Sequence, residues 1–168
     1  KIAIIRKSST KKNIHNQIND YVKLPALISN TLSLDAQIKK LANKYSKYDN
    51  FLFLGRGQLY PIAMEGALKM KELAYIHAEG YSAGEMKHGP IALIDAQMPT
   101  IFVATNERLF NKIYANVEQV KARKGKIIAI VQQGEKRLNK LAHDVIEIPQ
   151  ASAVQSPIIT VIVLQLLA

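Results

Sequence analysis

Apolar residues recur along the chain in two alternating forms, short unbroken runs and longer stripes at helical spacing. Phe51-Leu52-Phe53-Leu54 is an unbroken run that stops at Gly55-Arg56-Gly57, the pattern of a buried parallel strand ending in a tight loop. Thr100 to Ala104, Lys126 to Val131 and Asp144 to Ile148 are apolar and rich in Ile or Val, and each predicts a further strand. His77 to Ser82 reads as a short one. The stripes predict the helices. From Pro25, placed for a first helical turn, Leu27/Ile28, Thr31/Leu32, Leu34, Ile38, Leu41/Ala42 and Tyr45 recur on one face. After the glycine loop, Pro61 opens a helix whose apolar face holds Ala63, Gly66/Ala67, Met70, Leu73/Ala74 and His77. Asn106 is placed to cap a third helix lined by Leu109/Phe110, Ile113, Val117 and Val120. Gly125 is placed to stop it, after Lys121, Arg123 and Lys124 have favoured the negative helix end. A shorter helix is predicted over Glu135 to Leu141, and a last one from the cap and first-turn pair Ser156-Pro157 to the end of the chain. Lys1 to Asp20 shows no clear period.

Buried strands alternating with amphipathic helices imply a parallel sheet covered on both faces. The predicted fold is therefore α/β, a three-layer α/β/α sandwich with a mainly parallel five-stranded, flavodoxin-like sheet. A length of 168 residues suits one domain, with residues 25–168 as the folded unit and 1–24 as a linker or the tail of a preceding element. Ligands of such sheets bind outside the carboxyl ends of the strands. The loop from Gly55 to Tyr60 and the stretch from Glu79 to Pro90 are thus placed near any site.

Composition narrows the chemistry. Cysteine is absent, so a nucleophile or base must be Lys, His, Glu, Asp, Ser or Tyr, and a cytoplasmic location fits. The final apolar run, Pro157 to Ala168, is too short for a membrane span, and no secretory signal opens the chain. Both ends read as the edges of a longer polypeptide. The formal charge of +10 raises nucleic acid as a partner, but residues 1–50 hold ten Lys/Arg against three acids and account for most of the excess. No helix-turn-helix, zinc finger or aromatic-basic motif accompanies them, so no nucleic-acid role is expected.

Three places carry candidate chemistry. Gly55-Arg56-Gly57-Gln58 joins a strand to a helix, where bare backbone N–H groups and Arg56 offer donors to an anion, or where the glycines simply make the turn. The third Rossmann glycine and the P-loop Lys-Ser/Thr pair are both missing, which argues against a nucleotide cofactor. Glu65, Lys69 and Glu72 stand at i, i+4 and i+7 on one helical stripe. They form either an exposed salt-bridge ladder or a general base, Glu72, held near Lys69 and suited to moving a proton between adjacent carbons of a sugar phosphate. His88, in Lys87-His88-Gly89-Pro90, projects from a pinned turn and is either a hydrogen-bonding residue or an acid–base group. His77 reads as structural, and His15 and His143 have no companions, so no metal site is expected.

The order and spacing of Gly55-Arg56-Gly57, Tyr60-Pro61, Glu65-Gly66-Ala67-Leu68-Lys69, Lys71-Glu72, Tyr75-Ile76-His77-Ala78-Glu79 and Gly84-Glu85 through Lys87-His88-Gly89-Pro90 carry a resemblance. From about Leu24 to Ala168 the chain is similar to the second of two SIS-type (sugar isomerase) lobes in the glutamine:fructose-6-phosphate amidotransferase, or glucosamine-6-phosphate synthase, family. The resemblance implies that the whole enzyme makes glucosamine 6-phosphate from fructose 6-phosphate and glutamine, with ammonia released in a separate N-terminal domain. It implies that Glu72 transfers a proton between C1 and C2 of an enolamine and that Lys69 assists. His88 would open the sugar ring from the partner subunit of a homodimer. Arg56 and Gly57 are the weaker substrate-binding candidates. Phosphate-holding loops in the preceding SIS lobe and a Schiff-base lysine in a C-terminal tail would lie outside this segment, so the segment alone is expected to be inactive. Two rival readings are a non-catalytic SIS module that senses a sugar phosphate in a regulator and a related sugar-phosphate deglycase or isomerase.

Overall fold

The computed structural model describes residues 5–7 and 10–168. Its five strands are β1 (Asn50–Gly55), β2 (His77–Ser82), β3 (Thr100–Val103), β4 (Ile127–Gln132) and β5 (Asp144–Ile148). All neighbours pair in parallel, in the order β2-β1-β3-β4-β5. The helices are α1 (Lys11–Leu32), α2 (Asp35–Tyr45), α3 (Tyr60–Ala74), α4 (Phe110–Ala122) and α5 (Gln155–Leu167).

The unbroken apolar runs are explained by burial on both faces. Side chains alternate across a strand, so Phe51, Phe53, Ile101, Val103, Ile128, Ile130, Ile146 and Ile148 join one core, packed under residues of α2, α3 and α5 and flanked by α1. Leu52, Leu54, Phe102, Ile127, Ala129 and Val131 point the other way. They pack against α4 together with Ala83, Met86 and Ile94, which lie between β2 and β3. The result is the predicted three-layer sandwich, with a wholly parallel sheet. Among the described residues no helix is long and apolar enough to cross a membrane.

Several sequence expectations are corrected. The helix predicted from Pro25 to Tyr45 is two helices, broken at Ser33–Leu34, and Pro25 lies in the interior of α1. Residues 11–24, read as part of a linker or the tail of a preceding element, form the first half of α1. They are almost wholly exposed, which is why no hydrophobic period marks them. Thr10 starts the helix instead, its side chain accepting the Asn13 N–H at 3.2 Å. The rest of the linker reading, residues 1–4 and 8–9, lies outside the described residues.

His77 is not on a helix face. It opens β2, exposed, with Nδ1 hydrogen-bonded to the Asn50 side chain at 2.9 Å. No helix forms over Glu135 to Leu141. The Glu135 carboxylate takes the Arg137 backbone N–H at 2.8 Å and also its guanidinium, an alternative that competes with helical hydrogen bonding and leaves consecutive turns. Asn106 caps a 3-10 turn at residues 107–109 rather than α4 itself, accepting from the Arg108 N–H at 3.0 Å. Ser156 sits inside α5, and its hydroxyl donates to Thr105 Oγ1 at 2.7 Å. At the end of α4 the left-handed residue is Lys124, φ 61°. Gly125 is required for a different reason, since a β carbon there would lie 2.7 Å from both Ile94 Cγ2 and Val120 Cγ1.

Candidate active site

Helix α3 buries Ala63, Gly66, Ala67 and Met70 and ends at Tyr75, whose left-handed conformation lets its N–H return to the Met70 carbonyl. It lies close on the edge strand β2 because Gly80 has no side chain. A β carbon on Gly80 would stand 2.6 Å from Met64 Cα. This seating turns the Glu65, Lys69, Glu72 stripe to the flank of the helix, where Lys69 Nζ lies 2.6 Å from Glu72 Oε2 and 3.7 Å from Glu65 Oε1. The hydrogen bond to Glu72, then the charges of Glu72 and Glu65, hold the Lys69 ammonium above its ordinary pKa against the opposing effect of desolvation. Lys69 is therefore a fixed cation. Glu72 has one oxygen on Lys69 and a half-exposed side chain, so a ligand can reach it.

His88 follows β2 in a 3-10 turn, Met86–His88, whose one buried anchor is Met86. Its Nδ1 pairs with Glu85 Oε2 at 2.7 Å, and both side chains are well exposed. Gly89 beyond it has φ 150° and leads into the buried Pro90. The structure brings Lys69 and Glu72 together but does not join His88 to either. Helix α3 covers one layer of the sheet, whereas Met86 packs into the core of the other.

The glycine loop is constrained by its own backbone. A β carbon on Gly55 would meet the Leu59 carbonyl oxygen at 2.1 Å, and Gly57 has φ 58°. Arg56 between them leaves in an extended conformation, and its Nη1 donates to Asn116 Oδ1 at 3.4 Å. Thus Arg56 turns toward α4.

The connections from β1 and β3 depart to opposite faces, which makes the gap between these strands the switch point where such folds take ligands. A crevice of about 290 Å³ opens nearby, lined by Gln58, Thr105, Asn106, Arg108, Gln132 and Ala153 among others. Its polar groups are largely engaged with one another. Gln132 Nε2 donates to the Thr105 carbonyl at 2.8 Å, and its Oε1 accepts the Ala151 N–H at 3.1 Å. Gln58 Nε2 donates to the Ala153 carbonyl at 3.1 Å. Gln58 lies in the glycine loop singled out in the sequence, whereas Thr105, Arg108, Gln132 and Ala153 were missed because they lie far apart in the chain. The available signal is a polar residue directly after a strand. Among the described residues no group of three His, Asp or Glu side chains gathers to hold a metal ion.

The parallel 2-1-3-4-5 sheet covered by helices on both faces defines an α/β class, and the comparison with known families agrees. Residues 44–168 match the SIS domain, and the chain belongs to that family. The relatives within it are specific. The chain is 48% identical, over 98% of its length, to the glutamine--fructose-6-phosphate aminotransferase [isomerizing] of Aquifex aeolicus (strain VF5). It is 47% identical over 92% of its length to the protein of the same name from Escherichia coli (strain K12). It covers 27% and 25% of those proteins respectively, so it spans about a quarter of the curated relatives it matches. Among solved structures, the C-terminal domain of glucosamine-fructose-6-phosphate aminotransferase from Francisella tularensis superposes with a TM-score of 0.91 at 38% identity. That match covers 99% of this chain and 47% of the other.

Proposed function

We propose that the chain is the second SIS lobe of a glucosamine-6-phosphate synthase, and that Glu72 moves the proton that converts a ketose imine into an amino aldose. The observation that carries this reading is the Lys69–Glu72 pair at 2.6 Å, reachable from solvent on the flank of α3. With ammonia condensed at C2 of fructose 6-phosphate, the Glu72 carboxylate takes a proton from C1. The electron pair forms the C1–C2 double bond of an enolamine. Return of a proton to C2, with loss of the hydroxyl proton at C1, leaves the aldehyde of glucosamine 6-phosphate. Lys69, held cationic, balances charge as Glu72 alternates between carboxylate and acid. His88, with Glu85 on its Nδ1, passes a proton from the anomeric hydroxyl to the ring oxygen. The setting is cytoplasmic, and glutamine-derived ammonia and the sugar-phosphate loops come from other parts of the longer protein.

The separation of His88 from Glu72 within one chain supports a site completed by a second copy, with His88 serving the partner's substrate in a homodimer. The regulator and deglycase readings have no observation of their own, since the relatives close in sequence carry the aminotransferase name.

The test uses the full-length protein. Glu72→Gln keeps side-chain size, so amino-sugar formation should fall roughly 10²–10⁴-fold, the contribution of a positioned base. Stability should change by less than about 1 kcal/mol, as for an exposed pair, and glutamine hydrolysis should persist. Mixing Glu72→Gln with His88→Asn subunits should restore about a quarter of the parent rate, because half the dimers are hybrids with one intact site. Near-parent synthesis by Glu72→Gln refutes the base assignment, and no recovery on mixing refutes the shared site.

A further inference from the structure

We infer that Arg56 is a positioning residue for the loop that carries His88, acting through a stack beneath Gly84, and is not a ligand group. This inference rests on the role given to His88 above.

The direction of Arg56 is imposed by its neighbours. Gly55 closes on the Leu59 carbonyl, Gly57 is held at positive φ, and the residue between them is extended at φ −131°, ψ 140°. Its guanidinium lies against Gly84. A β carbon built on Gly84 would stand 3.3 Å from Nη1, 3.4 Å from Cζ and 3.4 Å from Nη2. A point equidistant from three atoms of a planar group lies over its face, because an approach along the edge leaves the central carbon farther away than the nitrogens. The Gly84 α carbon is thus directed at the guanidinium plane. Asn116, buried on α4, holds the edge of the plane by accepting from Nη1 at 3.4 Å. The Ala83 N–H donates to the Gly55 carbonyl at 2.8 Å and fastens the same junction through the backbone.

The loop needs this support. From Gly84 the chain runs directly into the Glu85–His88 pair, a single 3-10 turn whose working side chains are both exposed. Within the turn Met86 is the buried anchor, with the buried Ala83 and Pro90 on either side. The Arg56 plane under Gly84 adds a side-chain contact where the turn begins. Among the described residues Arg56 has no carboxylate partner, so charge pairing does not account for its placement. A flat, delocalised group can stack on an α carbon, whereas a lysine ammonium cannot.

The test is a double-mutant cycle in the full-length protein, with amino-sugar formation as readout. Arg56→Met keeps the stem but removes the plane. It should lower kcat about tenfold and leave KM for fructose 6-phosphate within about twofold, as expected of a misplaced group rather than a lost ligand contact. Arg56→Lys should not rescue. In a His88→Asn background, Arg56→Met should add less than about a twofold loss, because the two residues act as one unit. A KM rise of about tenfold with kcat kept overturns the inference and makes Arg56 a ligand group. Losses that multiply in full also overturn it and make Arg56 merely structural. If Arg56→Met does not fold, Gly84→Ala carries the same cycle, since its methyl would press on the guanidinium at 3.3–3.4 Å. Unimpaired Arg56→Met beside an impaired His88→Asn sinks this inference alone. Unimpaired His88→Asn sinks the role of His88 and this inference with it.

Discussion

Gly80→Ala is a one-carbon change with large expected consequences. The added carbon would lie 2.6 Å from Met64 Cα, 2.9 Å from Met64 N and 3.1 Å from Met64 Cγ. Carbon atoms rest at about 3.5–4.0 Å, so α3 and β2 must part locally by roughly 1 Å. Both sides of the clash are backbone, so no rotamer change relieves it. Overpacking commonly costs about 1–3 kcal/mol, and a rigid helix against a strand belongs at the upper end of that range. For a chain of this size, each 1 kcal/mol lowers Tm by about 2–4 °C, which gives a loss of roughly 6–12 °C. Circular dichroism melts of parent and variant measure it directly. In the full-length protein the same displacement carries Lys69 and Glu72 with the helix, and a shift of about 1 Å is enough to cost on the order of 10²-fold in rate. A variant that melts within about 2 °C of the parent would refute the close-seating account of α3.

Two further predictions concern polar contacts away from the site. The Ile127 N–H donates to His143 Nδ1 at 3.1 Å, so that nitrogen must be unprotonated, and burial followed by the Lys121 and Lys126 charges lowers the imidazole pKa. A depressed value means that the stabilisation is full above the ordinary histidine value of about 6.5 and is lost as pH falls through the folded value. Melts between pH 7 and 5 should therefore show a steeper loss for the parent than for His143→Gln, and parallel curves would refute it. Asp144 accepts from the Tyr45 hydroxyl at 2.6 Å and pairs with Lys44 at 2.7 Å. Tyr45→Phe should cost less than Asp144→Ala in urea unfolding, because only the latter leaves a buried hydroxyl unsatisfied, at about 1–3 kcal/mol. The reverse order would refute that account.

The strands were legible because burial on both faces leaves continuous apolar runs, and β1, β3, β4 and β5 fall within a residue or so of where those runs predict. Helix α1 was not, since residues 11–20 bury almost nothing and hydrophobic period is the signal being read. At the site, the Lys69–Glu72 contact follows from helical spacing alone. The placement of His88 depends on which face of the sheet the β2–β3 connection covers, and nothing in its local sequence encodes that choice. For Arg56 the sequence left an anion donor and a purely structural turn both open. Its turn toward Asn116 depends on a helix sixty residues away.

The crevice at the carboxyl ends of the strands has a consequence for how the molecule yields to force and heat. Gln132 ties the segment after β3 to that after β5, Gln58 ties the glycine loop to the same segment, and the Ser156 and Thr105 hydroxyls lock α5 beneath them. A guest entering there meets glutamine side chains already paired with the protein's own backbone. Glu72 on α3 and the Glu85–His88 pair in the turn after β2 are instead exposed to solvent. The mouth of the sheet thus serves as the keystone of the lobe.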